Sequence, residues 1–546
     1  MSDLKSASPH SKEISRRRTF AIISHPDAGK TTITEKILYL GRVIREAGEV
    51  HGKAGTKAVT SDWMAMERER GVSITSSVMQ FDYHGFRVNL LDTPGHKDFG
   101  EDTYRTLIAA DSAAMLIDAG KGVEERTRKL FEVCHLRNVP IYTFANKMDR
   151  EGKEPLELID DVENTLGLNC FPVTWPIGMG DRFRGLYHRL QKKLYLYKRG
   201  EERAEAYSVS GPSDPIIKEK VGEELYLKFY EDIELLEGAL PPWDQSAFLA
   251  GKITPMTFGS AKYNWGVDIF LDLFAQYSPE PVPRKASSGE ISPYAPFFSG
   301  FVFKMQANMD RRHRDRVAFI RICSGRFERG MKVQHQRLGR ELRLAYANQF
   351  MARDRETVDE AFAGDIVGIT DTGNFQIGDT ITDGKSLTFD EMPRFSPECF
   401  GRLSIKDPLK RKQMQKAVRQ LAEEGTVQIF VDPRVGEQDP VLGVVGELQF
   451  DVLLYRLNDE YGLDVKLERL SLTVARWPHY RSEMPDGSVA QLPAGAKPGD
   501  RPKSINGGSI LYQDVKEQPV VLLNKEWDLN WLIKENPTLE FAITGQ

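Results

Sequence analysis

Apolar positions along this chain fall into blocks whose spacing changes in a definite order. Phe20-Ala21-Ile22-Ile23 is a short unbroken apolar run, as a strand buried on both faces requires, and Ile33, Ile37 and Leu40 then recur at helical spacing. Val88 to Leu91, Asp111 to Ala119 and Val139 to Ala145 repeat the strand pattern, and Glu124 to Leu136 reads as an amphipathic helix. Strands that alternate with helices predict a doubly wound, mostly parallel sheet with its ligand loops at the strand C-termini. Between Phe171 and Met256 the pattern turns to Tyr/Leu/Lys-rich and acidic segments, among them Glu223 to Leu236 with Leu225, Phe229, Ile233 and Leu236 at helical spacing. This stretch reads as an insertion ahead of the final strand of the sheet.

After Pro- and Ser-rich residues comes dense two-residue alternation, as in Val317-Ala318-Phe319-Ile320-Arg321-Ile322. Turns at Ser324-Gly325, Arg329-Gly330, Ala363-Gly364 and Ile377-Gly378-Asp379 punctuate it, which predicts a small antiparallel barrel. The remainder gives strand Gly401 to Ile405, helix Pro408 to Glu424, strand Val427 to Val431, a helix from Gly446 to near Tyr461, and strand Val465 to Arg469. That order predicts a ferredoxin-like α+β layer. A turn-rich segment from Pro485 to Gly508 and an amphipathic piece around Trp527 and Trp531 close the chain. The expected division is a flexible lead over 1–18, a nucleotide-binding domain over 19–280 with its insertion at about 171–256, a linker over 281–296, a β-barrel domain over 297–390 and a C-terminal α+β domain over 391–546.

A 40% hydrophobic content over 546 residues is ample for three or four cored domains. The formal net charge of −5 argues against a protein that coats nucleic acid non-specifically, so any RNA contact is expected as a local patch. Arg311, Arg312, His313, Arg314 and Arg316 form one such run, either a solvated loop or a contact to phosphates. Cys134, Cys170, Cys323 and Cys399 lie far apart without metal-ligand spacing and read as small hydrophobes of a reducing compartment. No run approaches the roughly 20 apolar residues of a membrane span, and no leader-like apolar segment opens the chain, so a cytoplasmic location without membrane attachment is expected.

The chemistry is concentrated in four loops. Ser24-His25-Pro26-Asp27-Ala28-Gly29-Lys30-Thr31-Thr32 joins the first strand to the first helix. In such a loop successive N–H groups point at an anion and the helix adds its positive end. Lys30 reaches the β- and γ-phosphates and the Thr31 hydroxyl is placed to ligate Mg²⁺, while Ser24 stands where the pattern usually has Gly. Asp92-Thr93-Pro94-Gly95-His96 ends a strand in a carboxylate that can hold Mg²⁺ through water, with the Gly95 N–H available to a γ-phosphate. Asn146-Lys147-Met148-Asp149 leaves another buried strand, and Asp149 can accept from the N1–H and exocyclic amine of guanine, an edge adenine lacks. Gly259-Ser260-Ala261-Lys262 then closes the base pocket. Singly these stretches read as turns or solvated loops; four in this order indicate GTP/GDP binding with Mg²⁺.

Together the motifs resemble the G domain of translational GTPases, and Asp-Thr-Pro-Gly-His is the form of the second motif that this family carries. The resemblance implies an α/β P-loop GTPase domain, a β-barrel domain and a C-terminal α+β domain, with ribosome-stimulated hydrolysis of GTP. It implies that His96 is the catalytic residue, orienting the attacking water or stabilising charge around it. It also places switch I in the Gly-rich, charged stretch between Leu40 and Phe81. A switch needs a hydroxyl that meets Mg²⁺ only while the γ-phosphate is present, and the family's Arg-Gly-Ile-Thr pattern puts it at Ser73, with Thr75 as a rival. Ser24 to Thr32, the run Phe99 to Thr106 and the overall length are most similar to the branch of the family that acts in translation termination. That branch implies a monomer whose partners are the ribosome with its RNA and codon-reading peptide release factors, which the GTP cycle removes. Two alternatives stay open, another ribosome-dependent translation GTPase of elongation or rescue type and a guanine-nucleotide-sensing module. The chain holds no Gly-Gly-Gln, so it is not itself expected to cut peptidyl-tRNA.

Overall fold

The strands of the first domain form a seven-stranded sheet in the order Ser77–Tyr83, Phe86–Asp92, Arg17–Ser24, Ser112–Asp118, Ile141–Asn146, Ile253–Phe258, Asn169–Pro172. In this computed structural model of the chain the description covers residues 2–544 apart from 44–75, 202, 308–315, 345–346, 352–353, 391, 393–394, 437–438, 485–487 and 494. Only the first two strands of the sheet pair antiparallel; the other neighbours run parallel. Helices on both faces explain the unbroken apolar runs, since Arg17–Ser24 and Ser112–Asp118 are buried at every position.

The insertion carries its own antiparallel sheet, Thr174–Ile177, Gly185–His188, Lys193–Leu196 and Glu205–Ser208, and the helices Pro215–Val221, Glu223–Ala239 and Gln245–Leu249. Its start falls slightly later than residue 171, because Asn169–Pro172 is an edge strand of the main sheet, paired with Ile253–Phe258. Phe229, Ile233 and Leu236 supply the buried stripe of the long helix.

The flexible lead expected over 1–18 is instead helical at Ser2–Ala7 and Ser11–Ser15 and packed on the body. Ile14 is fully buried in the core of the barrel domain, Lys5 pairs with Glu280 at 2.7 Å, and Arg17 is buried on Asp365 at 3.0 Å. A basic run looks solvated in sequence, but here Lys5 and Arg17 meet Glu280 and Asp365 from hundreds of positions away, while Arg16 and Arg17 also share Glu13 nearby. The linker over 281–296 likewise holds a hairpin, Arg284–Ala286 with Gly289–Ile291. Arg284 is buried on Asp111 at 2.9 Å, and Asp111 also takes Arg321 of the barrel at 2.5 Å, so the segment is fixed to both domains.

The barrel domain is an eight-stranded antiparallel sheet in which Ser299–Ala307 and Arg316–Ser324 are central, with a separate pair Arg326–Glu328 and Glu360–Phe362. Bulges between Ser299 and Gly300 and between Val302 and Lys304 bend its central pairing. Val302, Ile320, Ile322, Phe327, Val367 and Ile381 fill the interior. Arg311, Arg312, His313 and Arg314 lie outside the described residues; Arg316 opens a strand and pairs with Asp371 at 3.2 Å and with Glu423 of the C-terminal domain.

In the C-terminal domain the strands order as Gln428–Phe430, Val441–Val444, Cys399–Ile405, Val465–Leu470, with helices Arg411–Glu423 and Glu447–Asp459. This is the ferredoxin-like arrangement. A second four-stranded sheet, Leu511–Gln513, Pro519–Leu523, Val474–Tyr480 and Leu539–Ala542, carries the helix Glu526–Glu535. That helix packs through Leu529 and Leu532, while Trp527 is 72% exposed. Three cysteines are buried thiols and Cys399 is half-buried.

Candidate functional site

Four loops leave the C-terminal ends of strands in the main sheet and are tied to one another by named contacts. Gly29, which caps the helix Lys30–Leu40, has φ +95°, and a Cβ added there would sit 2.2 Å from Asn146 Nδ2. Both the left-handed backbone and the close approach require glycine. The Asn146 amide donates to the carbonyl of Ala28 at 2.7 Å, and its Oδ1 accepts the Ala261 N–H at 2.8 Å. One buried side chain thus joins the phosphate loop to the Gly259–Lys262 loop. Lys147 Nζ donates to the Asp27 carbonyl at 2.5 Å and to Asp118 Oδ2 at 2.7 Å. Asp27 and Lys147 both hold positive φ, +66° and +70°, a conformation that costs a non-glycine residue about 1–3 kcal/mol and persists where the surroundings impose it.

The base side is closed in the same way. Asp149 Oδ1 accepts from the Ser260 hydroxyl at 2.6 Å, the buried Met148 donates its N–H to the Gly259 carbonyl at 3.0 Å, and the Gly259 N–H reaches the Ala145 carbonyl at 2.9 Å. The Lys262 ammonium lies over the Tyr263 ring at 4.8 Å. Asp149 and Ser260 are therefore in direct contact, an arrangement compatible with guanine recognition.

On the phosphate side Lys30 Nζ contacts Asp92 Oδ1 at 2.6 Å, both side chains being almost fully buried. The cation assigned to phosphates and the carboxylate assigned to a metal neutralise each other, since buried charges need partners. A polyphosphate with its divalent ion fits this pair, replacing each partner by a group of the same sign. Ser24 Oγ and His25 Nδ1 are buried without a hydrogen-bond partner among the described residues, which also suits a polar ligand. Thr31 and Thr32 are half-buried in the first turn of the helix, Pro26 is half-buried, and around Gly95 a Cβ would meet nothing within 4 Å.

Two residues of these loops have side chains tied to the protein itself. The Thr93 hydroxyl donates to the Ile22 carbonyl at 2.6 Å, so its side chain pins the loop to the first strand. His25 turns to Glu124, with Nε2 3.2 Å from Oε2, and ties the phosphate loop to the start of the helix Glu125–Leu136. Ser73 and Thr75 lie outside the described residues. Ser76, the first residue after them, donates its N–H to Asp102 at 2.9 Å and receives Lys304 of the barrel on its carbonyl and, at 3.1 Å, on its hydroxyl.

His96 is engaged with its own turn. Its Nδ1 accepts the Asp98 N–H at 3.3 Å and lies 3.4 Å from Asp98 Oδ1, with the ring edge-on to Phe99. Sequence reasoning passes over Asp118, although it ends an apolar strand as Asp92 and Asn146 do, which is a usable signal. Glu124, Asp98 and Asp102 carry no comparable signal, because His25, the Leu448 N–H and the Ser76 N–H that they meet are remote in sequence.

Comparison with known proteins matches three stretches of the chain. Residues 15–280 match the elongation factor Tu GTP binding domain, 297–384 match elongation factor G domain 2, and 389–533 match the C-terminal domain of class II release factor RF3. The chain is 49% identical over 538 residues to peptide chain release factor 3 of Symbiobacterium thermophilum, covering 98% of each. It is 47% identical over 532 residues to that of a Cyanothece species, covering 97% of this chain and 95% of the relative. A crystal structure of a Thermus thermophilus protein shares the fold, with a TM-score of 0.67 at 24% identity, over 91% of this chain and 72% of that one. Fold and loops together define a translational GTPase that binds guanine nucleotide and hydrolyses GTP. Within that class the chain belongs to the peptide chain release factor 3 family, whose role is in translation termination.

Proposed function

We propose that this GTPase acts on the ribosome, which stimulates its hydrolysis, and that the cycle removes a codon-reading release factor after the peptide has been freed. The carrying observation is the state of His96: among the described residues, every side-chain hydrogen bond, ion pair and ring contact it makes is with Asp98 or Phe99. A water-orienting group held by its own turn needs an outside partner to place it.

In this reading Asp149 and Ser260 select guanine, Asn146 and Lys147 hold the loops in register, and Lys30 with the loop amides neutralises the phosphates. Thr31 and, through water, Asp92 would hold Mg²⁺, with Ser73 or its rival Thr75 of switch I as the hydroxyl that joins them; the ion would neutralise phosphate charge. His96 orients the attacking water. GTP selects one conformation by its differential contact with the switches.

The surface supports an RNA partner. Lys410, Arg411, Lys412, Lys416 and Arg419 are exposed along the helix Arg411–Glu423 and the turn before it, on a chain whose net charge is −5. Such a face concentrates cations where phosphates can meet them. Among the described residues no helix is long and apolar enough to cross a membrane. A termination role supports the reading of a protein that works beside ribosomes in the cytoplasm, which we take to act as a monomer.

The test is single-turnover GTP hydrolysis with and without ribosomes holding a bound release factor, with departure of that factor followed in parallel. Stimulation accompanied by departure is expected. His96→Ala should bind GTP nearly as the parent does yet lose on the order of 10²-fold or more of the stimulated rate. A rate that ribosomes leave unchanged overturns the reading.

A further inference from the structure

Asp98 faces two ways. Its backbone N–H and Oδ1 lie on His96 Nδ1, at 3.3 and 3.4 Å. The other carboxylate oxygen, Oδ2, crosses to the C-terminal domain and accepts the Leu448 N–H at 2.8 Å, in the first turn of the helix Glu447–Asp459.

The side chain of Asp98 is buried, and it meets the cap residue Gly446 so closely that a Cβ there would lie 2.0 Å from Asp98 Cγ. A carboxylate at a helix N-terminus satisfies an orphan donor and meets the positive end of the dipole. Phe99 seals the contact by packing with Val452, Leu448 and Tyr455. The turn that carries the histidine is therefore also the seat of the C-terminal domain. Arg126 gives the carboxylate a second partner to turn to: its Nε and Nη2 are buried without hydrogen bonds among the described residues, and the Asp98 charge opposes the burial that disfavours its ionisation.

We propose that Asp98 is a positioning residue that couples the seating of the C-terminal domain to the orientation of His96. While the carboxylate caps the helix Glu447–Asp459, His96 is held on Asp98. When that helix undocks, the turn relaxes and the histidine is released toward the γ-phosphate. The docked domain thus restrains hydrolysis, and a partner that pulls it away lifts the restraint. The inference rests on the reading of His96 as the residue that orients water.

Gly446→Ala tests it in the full-length chain. The glycine has φ −151° and ψ 160°, which alanine adopts freely, so the added methyl acts on the Asp98 carboxylate and not on the backbone. Loss of one hydrogen bond to a charged group shifts such an equilibrium on the order of tenfold. GTP hydrolysis without ribosomes should rise by about that factor in kcat with KM unchanged, and the rise should vanish in Gly446→Ala/His96→Ala. Asp98→Ala, which breaks the same contact from the other domain without adding bulk, should give the same rise and keeps the test open if the alanine at 446 prevents folding. A folded Gly446→Ala or Asp98→Ala with the parental rate overturns the coupling, as does a rise that survives removal of His96. If His96→Ala alone retains ribosome-stimulated turnover, the histidine reading itself falls; if it abolishes turnover while the other variants change nothing, only the coupling falls.

Discussion

Asn146 donates a 2.7 Å hydrogen bond to the carbonyl of Ala28, so a residue of the loop proposed to read the base holds the loop proposed to cradle phosphates. Asn146→Ala would leave that carbonyl and the Ala261 N–H unpaired in a buried site. The expected loss is about 2 kcal/mol or more of nucleotide binding, roughly a thirtyfold weaker Kd. Equilibrium titration with a fluorescent GDP analogue measures it, and unchanged affinity would show that the loops hold their register without this clamp.

Asp149→Asn keeps an oxygen for the Ser260 hydroxyl, which now donates to Asp149 Oδ1 at 2.6 Å, but replaces a carboxylate oxygen by a donor. The guanine N1–H and amine then lose one acceptor. Competition binding should show weaker GTP and a shift toward xanthosine nucleotides; unaltered preference would remove Asp149 from the pocket.

Asp111 pairs with both Arg284 and Arg321, at 2.9 and 2.5 Å, and all three side chains are buried. Asp111→Ala would strand two buried guanidinium groups side by side. Removing one partner of a buried ion pair costs about 3–5 kcal/mol, and burial already disfavours the ionised form of Arg284. Urea unfolding should therefore show a large drop in midpoint, and a near-parental midpoint would mean that water reaches the cluster.

His188 in the insertion is buried, its Nδ1 accepts the Gln191 N–H, and its Nε2 has no partner among the described residues. Burial pushes its pKa down from 6.5 to about 4. The unfolded chain binds the proton first, so the contribution is fully present above pH 6.5, is lost as pH falls from 6.5 toward 4, and levels off below that. The loss amounts to about 3 kcal/mol at most. Unfolding midpoints at pH 7 and pH 5 measure it, and His188→Gln should remove this part of the pH dependence. An identical pH slope in the variant would assign the effect elsewhere.

The strand-helix alternation and the four loops could be read from the chain itself because their chemistry is local. A phosphate cradle needs Gly29, Lys30 and Thr31 in one continuous turn, and a guanine pocket needs Asp149 within three residues of Asn146, so spacing alone carries the information. The ferredoxin-like order was legible for the same reason, since each element signals its own period. What only the tertiary structure decided is where charges find their partners. The basic lead became ordered because Arg17 meets Asp365, the linker was fixed because Arg284 meets Asp111, and the Thr93 hydroxyl was taken up because it meets the Ile22 carbonyl. Asp98 shows this most plainly. In sequence it is a polar residue two places after a histidine, and it becomes a joint between domains because folding brings the Leu448 N–H, 350 positions away, to within 2.8 Å. Hydrogen bonds and ion pairs act over a few ångströms of space and carry no periodicity along the chain, so no pattern of residues announces them before the domains have docked.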